Sequence, residues 1–137
     1  IMAARPNERG ETPWTMERVL DTFPRLGQRI NHDGALLSGG EQQMLSIGRA
    51  LTTNPDLMIL DEATEGLAPL IRDEIWKIIR TIKATGISTI IVDKNIDNLL
   101  EVAEKQLLLV KGEVMYSGDS QGLKNNPALL ETHLGVA

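Results

Sequence analysis

Leu37-Ser38-Gly39-Gly40-Glu41-Gln42-Gln43 is followed, after one short helical stretch, by Leu57-Met58-Ile59-Leu60-Asp61-Glu62. These two strings decide how the chain is read. Ser38 is a favourable N-cap residue, and Glu41 stands three positions on, the spacing of a capping box. Gly39 and Gly40 carry no side chains, so a ligand can approach their backbone N–H groups. Met44, Ile47 and Leu51 recur at helical spacing, which predicts a helix from this cap to about Thr53. The start of such a helix offers free N–H donors and the positive end of the dipole, which suits a phosphate. Ser-x-x-Glu also caps ordinary helices that bind nothing, so the box alone is not diagnostic.

Asn54-Pro55 marks the end of that helix, because proline pushes the preceding residue out of the α region. Leu57 to Leu60 is a continuous apolar run, the pattern of a parallel strand buried on both faces. Asp61 and Glu62 follow at its carboxyl end, where open α/β sheets bind their ligands. Burying a lone carboxylate is costly, so two adjacent acids there point to a site. The plain alternative is a strand end with two solvated acids.

The composition narrows the field. The 137 residues suffice for one domain. With no cysteine there is no disulfide, thiolate metal site or cysteine nucleophile, which fits a reducing compartment. No apolar run approaches the ~20 residues that span a bilayer, and no signal peptide is visible. The net charge of −5 argues against a nucleic-acid binder, which would present a basic face.

The string Leu37 to Gln43 resembles the signature motif of the ABC transporter ATPases, matching it at every motif position. The resemblance implies that the Ser38 hydroxyl and the Gly40 amide touch the γ-phosphate of an ATP held mainly by a second ATPase subunit. Gly39 and Gln42 would line the approach, with Leu37 and Glu41 completing the nucleotide-binding string. The apolar run ending in Asp61-Glu62 is similar to a Walker B motif. Asp61 would then hold Mg²⁺, directly or through water, and Glu62 would polarise the attacking water as general base. Glu65, Gly66, Leu67 and Ala68 fall on the D-loop, which crosses the dimer interface in that family. Most members carry Pro where Ala63 stands and Asp where Ala68 stands. Gly66-Leu67-Ala68-Pro69 is instead typical of the ATPase subunits of branched-chain amino-acid importers. His133-Leu134-Gly135 is similar to the Tyr-Leu-Gly tail common in that subfamily. Lys94 falls on the switch position, usually His in the family and often Gln in the subfamily. Its ammonium could meet a phosphate as a flexible point charge, or be a surface lysine, and the hydrolysis rate is what this departure bears on.

Elsewhere, Ile1 to Thr12 reads as a terminal loop. Met16, Val19, Leu20 and Phe23 form a helical stripe capped by Thr15 and ended by Pro24, and Arg25 to Ala35 reads as a basic, polar connector. In the family this region is part of a helical subdomain facing the membrane partner; Trp14 and Phe23 contact that partner or anchor local packing. Leu70 to Ala84 predicts an amphipathic helix with Ile71, Ile75, Ile78, Ile79 and Ile82 inside. Arg72, Asp73, Lys77, Arg80 and Lys83 lie on its wet side, with Trp76 among them. Gly86 ends it, and Ser88 to Val92 is a second buried strand, parallel to the first with a right-handed crossover. A helix over Asn95 to Ala103 and a hairpin of Gln106–Val110 with Glu113–Ser117, closed at Lys111-Gly112, precede a helical tail. His32 and His133 have no ligand-type neighbours at metal spacing.

The implied fold is α/β. It is a partial P-loop NTPase core of the ABC ATPase type, with a mostly parallel sheet flanked by helices, a C-terminal β-hairpin and part of the helical subdomain. Residues 1–36 make the subdomain part and connector, and 37–137 the C-terminal portion of the core. The likeness runs from about Arg5 to Val136 and covers only the second part of an ABC ATPase. No G-x-x-x-x-G-K-[ST] loop occurs, so the chain is read as a truncated piece that does not hydrolyse ATP alone. Its open sheet edges would invite self-association. The intact protein is expected to be an ATP- and Mg²⁺-dependent ATPase subunit of an importer. It would pair with a second ATPase subunit and sit on the cytoplasmic face of the membrane through permease subunits, with no nucleic acid bound and no direct membrane insertion. Branched-chain amino acids are the favoured cargo, with urea, other amides and other amino acids left open. A non-enzymatic ABC-fold interaction module and a soluble ABC-type ATPase not coupled to transport remain as alternatives.

Overall fold

Thr15 sets the first helix: its hydroxyl accepts the Arg18 N–H, and α1 runs over Met16–Thr22. In this computed structural model residues 13–135 are described; the expected terminal loop over Ile1 to Thr12 lies outside them, as do Val136 and Ala137. Pro24 does not simply end α1. It occupies the first position of a further helix, α2 (Pro24–Gln28), so the expected connector begins as helix and buries Leu26. Proline suits that position because its missing N–H has no partner in a first turn and its φ is already helical.

A 3₁₀ turn at Gly34–Leu36 leads into α3 (Gly39–Leu51), which buries Met44, Ile47 and Leu51 as its periodicity requires. Trp14 and Phe23 are buried as well, so both anchor local packing. The Trp14 N–H donates to Asn54 Oδ1 at 2.6 Å, and the Arg18 guanidinium lies 4.1 Å from the Trp14 ring centroid. Asn54 adopts φ 48°, a left-handed corner that asparagine tolerates better than most residues.

β1 (Leu57–Asp61) and β2 (Ser88–Val92) pair in parallel across α4 (Pro69–Ala84), with Leu57 opposite Ser88 and Asp61 opposite Val92. The strands are not buried on both faces. Met58 and Leu60 are buried, whereas Ile59 is 63% exposed and Ile90 51% exposed. The apolar run was the correct signal for a parallel strand, but among the described residues only one face has a covering layer. α4 buries Ile75, Ile78, Ile79 and Ile82 as expected, and it also buries Trp76, which is 1% exposed and belongs to the core rather than the wet side. The buried stripe is therefore wider than a strict i, i+3, i+4 row. Trp76 Nε1 and Arg72 Nε are buried without an acceptor among the described residues.

Residues 1–93 form one compact unit and 94–137 a second. In the second, α5 (Ile96–Val102) precedes the antiparallel hairpin β3 (Lys105–Val110) and β4 (Glu113–Asp119). Lys111 at φ 50° and Gly112 at φ 85° make the two-residue turn with both residues left-handed, the form whose twist suits a hairpin. The register slips beyond Leu108–Tyr116, so Met115 is the extra residue of a bulge. Buried Gln106 donates to Leu99 O at 2.9 Å and to Ser120 Oγ at 3.0 Å, tying β3 to α5 and α6 (Ser120–Lys124). α7 (Pro127–Leu134) closes the described chain at Gly135, whose φ of 64° is a left-handed C-cap.

α3 is fixed by close approach. A Cβ on Gly48 would stand 2.7 Å from Val19 Cγ1, on a buried β-branched side chain with little room to move. Gly48→Ala is therefore expected to destabilise the chain by about 1–3 kcal/mol, although alanine is the better helix former by about 1 kcal/mol. Thermal unfolding of Gly48→Ala, Val19→Ala and the double variant checks this. The two losses should add to more than the double variant's loss; strict additivity would refute the contact.

Candidate functional site

The start of α3 is built by the residues the sequence singles out. Asp33 Oδ1 accepts the Ala35 N–H at 3.1 Å and sets the 3₁₀ turn that delivers Leu37 to the cap. Ser38 is extended, with φ −63° and ψ 161°, and the capping box is complete. Ser38 Oγ accepts the Glu41 N–H at 3.3 Å, and Glu41 Oε2 accepts the Ser38 N–H at 2.9 Å. Gln42 Nε2 donates to Leu37 O at 3.0 Å, so Gln42 braces the entry to the turn. Because Ser38 Oγ uses a lone pair in the cap, its own O–H can still donate to an oxyanion. Ser38 and Gly39 are exposed at the first turn, where helix geometry leaves N–H groups outside the i→i−4 ladder.

Gly40 is buried, and a Cβ there would collide with Cγ2 of Ile71; a Cβ on Gly39 would lie 3.9 Å from Leu67 Cδ2. The signature turn thus rests on the Leu67 loop and the first turn of α4. The sequence offered ligand access as the reason for both glycines. At Gly40 close packing is a second reason, and a contact between residues so distant in the chain leaves no local signal.

Asp61 ends β1, and Glu62 turns the chain with φ 50°, a left-handed conformation rare for a residue with a side chain. The Glu62 N–H donates to Val92 O at 2.7 Å, which carries the sheet pairing one residue past the strand. Asp61 and Glu62 are both exposed, so they are solvated acids rather than costly buried ones. The buried polar residue here is Thr64, 3% exposed, whose hydroxyl donates to Asp93 Oδ2 at 2.7 Å. That bond ties the loop after β1 to the end of β2. In the loop, Glu65 and Gly66 are exposed, and the Glu65 N–H donates to Glu62 O at 3.2 Å; Gly66 has φ 71°, and Ala68 is the N-cap position of α4. Lys94 is exposed at the start of the second unit, and its carbonyl accepts the Ile96 N–H at 3.0 Å.

No group of three or more His, Cys, Asp or Glu suited to a metal occurs among the described residues. Asp61 would offer one hard oxygen ligand, with phosphate and water completing the shell. That donor set fits Mg²⁺, which is commonly held by one or two carboxylates and its substrate's phosphates.

The Ser38 N–H bond holds the Glu41 carboxyl below the ordinary glutamate range, and Arg29 beside it acts in the same sense. A depressed folded value means that the cap stabilises α3 fully above the unfolded glutamate pKa of about 4.3. That support is lost as pH falls through the lower folded value. Carboxyl NMR should find Glu41 titrating below a glutamate in an unstructured peptide, and the Ser38 amide should lose exchange protection over the same pH interval. A Glu41 midpoint equal to that of the unstructured peptide would contradict the cap.

The family model described as ABC transporter matches residues 3–65. The chain is 38% identical over 120 residues to the high-affinity branched-chain amino acid transport ATP-binding protein BraG of Pseudomonas aeruginosa, covering 88% of this chain and 52% of that protein. It is 35% identical to the lipopolysaccharide export system ATP-binding protein LptB of Acidithiobacillus ferridurans, over 74% of this chain and 42% of that one. Among solved structures it is similar to the ADP conformation of an ATP-binding cassette of an ABC transporter, with TM-score 0.73 and 26% identity over 87% of this chain and 48% of that one. The chain spans about half the length of the curated relatives it matches. The complete Ser38–Glu41 cap, the Asp61-Glu62 strand end and these likenesses agree: the chain belongs to the ABC transporter ATP-binding family, of which it carries a part.

Proposed function

We propose that this chain carries the signature and carboxylate segments of an ATP-hydrolysing subunit that powers a membrane permease. The observation that carries the reading is the Ser38 cap: a hydroxyl whose donor is available, beside exposed Gly39, at the positive end of a helix. In this reading Ser38 and the first-turn amides of α3, Gly40 included, donate to the terminal phosphate of an ATP held mainly by a second subunit. Leu37, Glu41 and Gln42 hold the turn in shape. Mg²⁺, when bound, neutralises charge on the phosphates. Asp61 would hold that ion, and Glu62 accepts a proton from the attacking water. Residues Glu65 to Ala68 run along the seam between subunits. The subunit works at the cytoplasmic face of the membrane, held there by permease contacts.

BraG's name and the Gly66-Leu67-Ala68-Pro69 loop support branched-chain amino acids as cargo. The likeness to LptB keeps the ATPase reading independent of that choice.

A chimera tests the reading. Residues 13–135 replace the aligned segment of BraG, and phosphate release is measured with Mg²⁺ and ATP. The chimera should turn over ATP, Glu62→Gln should lower kcat by about a hundredfold or more, and Ser38→Ala by about a hundredfold. The 137-residue chain alone should release phosphate at the buffer rate. A folded, ATP-binding chimera whose turnover ignores both substitutions would overturn the proposal.

A further inference from the structure

Helix α2 is only five residues long, yet it reaches two other helices through charge. Arg25 and Arg29 stand at i and i+4, a spacing that puts both side chains on one side of the α2 segment. Arg25 grips α4: Nε lies 2.6 Å from Glu74 Oε2 and Nη2 lies 2.9 Å from Glu74 Oε1, a two-pronged pairing that fixes direction as well as distance. Arg29 Nε lies 3.5 Å from Glu41 Oε1. The other oxygen of that same carboxylate, Oε2, accepts the Ser38 N–H. Buried Phe23 and Leu26 anchor α2 from below. One carboxylate is therefore shared between the residue that starts α3 and an arginine on a neighbouring element, which is itself clamped to α4.

We propose that Arg29 is a positioning residue for Ser38, holding the Glu41 carboxylate in the orientation that keeps the capping box closed, and that Arg25 anchors the α2 segment from which Arg29 acts. The inference rests on the functional reading above for its consequence in phosphate binding, but its geometry does not depend on that reading. Ser38 can aim its hydroxyl outward only while its backbone stays extended, and that backbone is held by the bond to Glu41. Without Arg29 the Glu41 side chain has rotamers that leave the Ser38 N–H to water. Lysine in its place keeps the charge but loses the planar donor geometry, so it restores the arrangement in part.

The test uses the labelled 137-residue chain without nucleotide, so its outcome stands apart from whether the chimera hydrolyses ATP. Arg29→Gln should speed exchange of the Ser38 amide by about tenfold and move the Glu41 carboxyl midpoint up toward the ordinary range, with Arg29→Lys between it and the parent. Arg25→Gln should loosen the Ser38 amide as well, although Arg25 makes no bond to Glu41 within hydrogen-bond distance. On a Glu41→Gln background, Arg29→Gln should cause no further change at Ser38. If Arg29→Gln fails to fold, Arg29→Lys alone decides by the same two readouts. An unchanged Ser38 amide in the folded variant, or a change that persists in full on the Glu41→Gln background, overturns the proposal.

Discussion

Helix α3 lies so close to its neighbours that two of its positions exclude any side chain. At Gly48 the obstacle is Val19 of α1, and at Gly40 it is Ile71 of α4. These approaches set the height and rotation of α3, and everything proposed for its first turn follows from that placement. A donor at a helix start is useful only if the helix cannot slide or roll. Here packing resists sliding, while the capping box, with Arg29 beside its Glu41 carboxylate, closes the end where donors are exposed. Apolar packing and polar capping thus divide the work: the first places the element and the second aims it.

Features carried by neighbouring residues were legible in the sequence. The capping box, the burial of Met44, Ile47 and Leu51, proline at the start of α4 and the hairpin turn at Lys111-Gly112 all follow from local rules, and the structure contains each. What was not legible depends on partners far along the chain. Thr64 meets Asp93 across 29 positions and Arg25 meets Glu74 across 49. Pro24 was read as a stop because α1 ends there, but the same residue is equally suited to begin α2. Trp76 was placed in water by its charged neighbours, yet an indole gains more from burial than any other side chain on that helix.

The strands make the same point from the other direction. A continuous apolar run says that a strand can be covered twice; it cannot say what supplies the second cover. Leu57, Ile59, Ile90 and Val92 leave about half or more of their surface open, while Met58 and Leu60 beneath them are buried. At roughly 25 cal/mol per Å², these open side chains retain stabilisation that only a further layer would release. For the candidate site, the sequence supplied the chemistry of Ser38, Asp61 and Glu62, and the structure added the scaffold: the left-handed turn after β1, the Thr64 tie and the α2 clasp.

The torsion angle at Glu62 records a preference. Glycine or asparagine would sit at φ 50° with less steric cost than glutamate, by on the order of 1 kcal/mol. A carboxylate nonetheless occupies that corner, immediately past a strand end and open to solvent. Swapping in the more comfortable residue would give a sturdier chain with no acid at the bend. A carboxylate at this bend therefore carries a steric cost that another residue would relieve, so resistance to heat and the presence of an acid pull this single position in opposite directions.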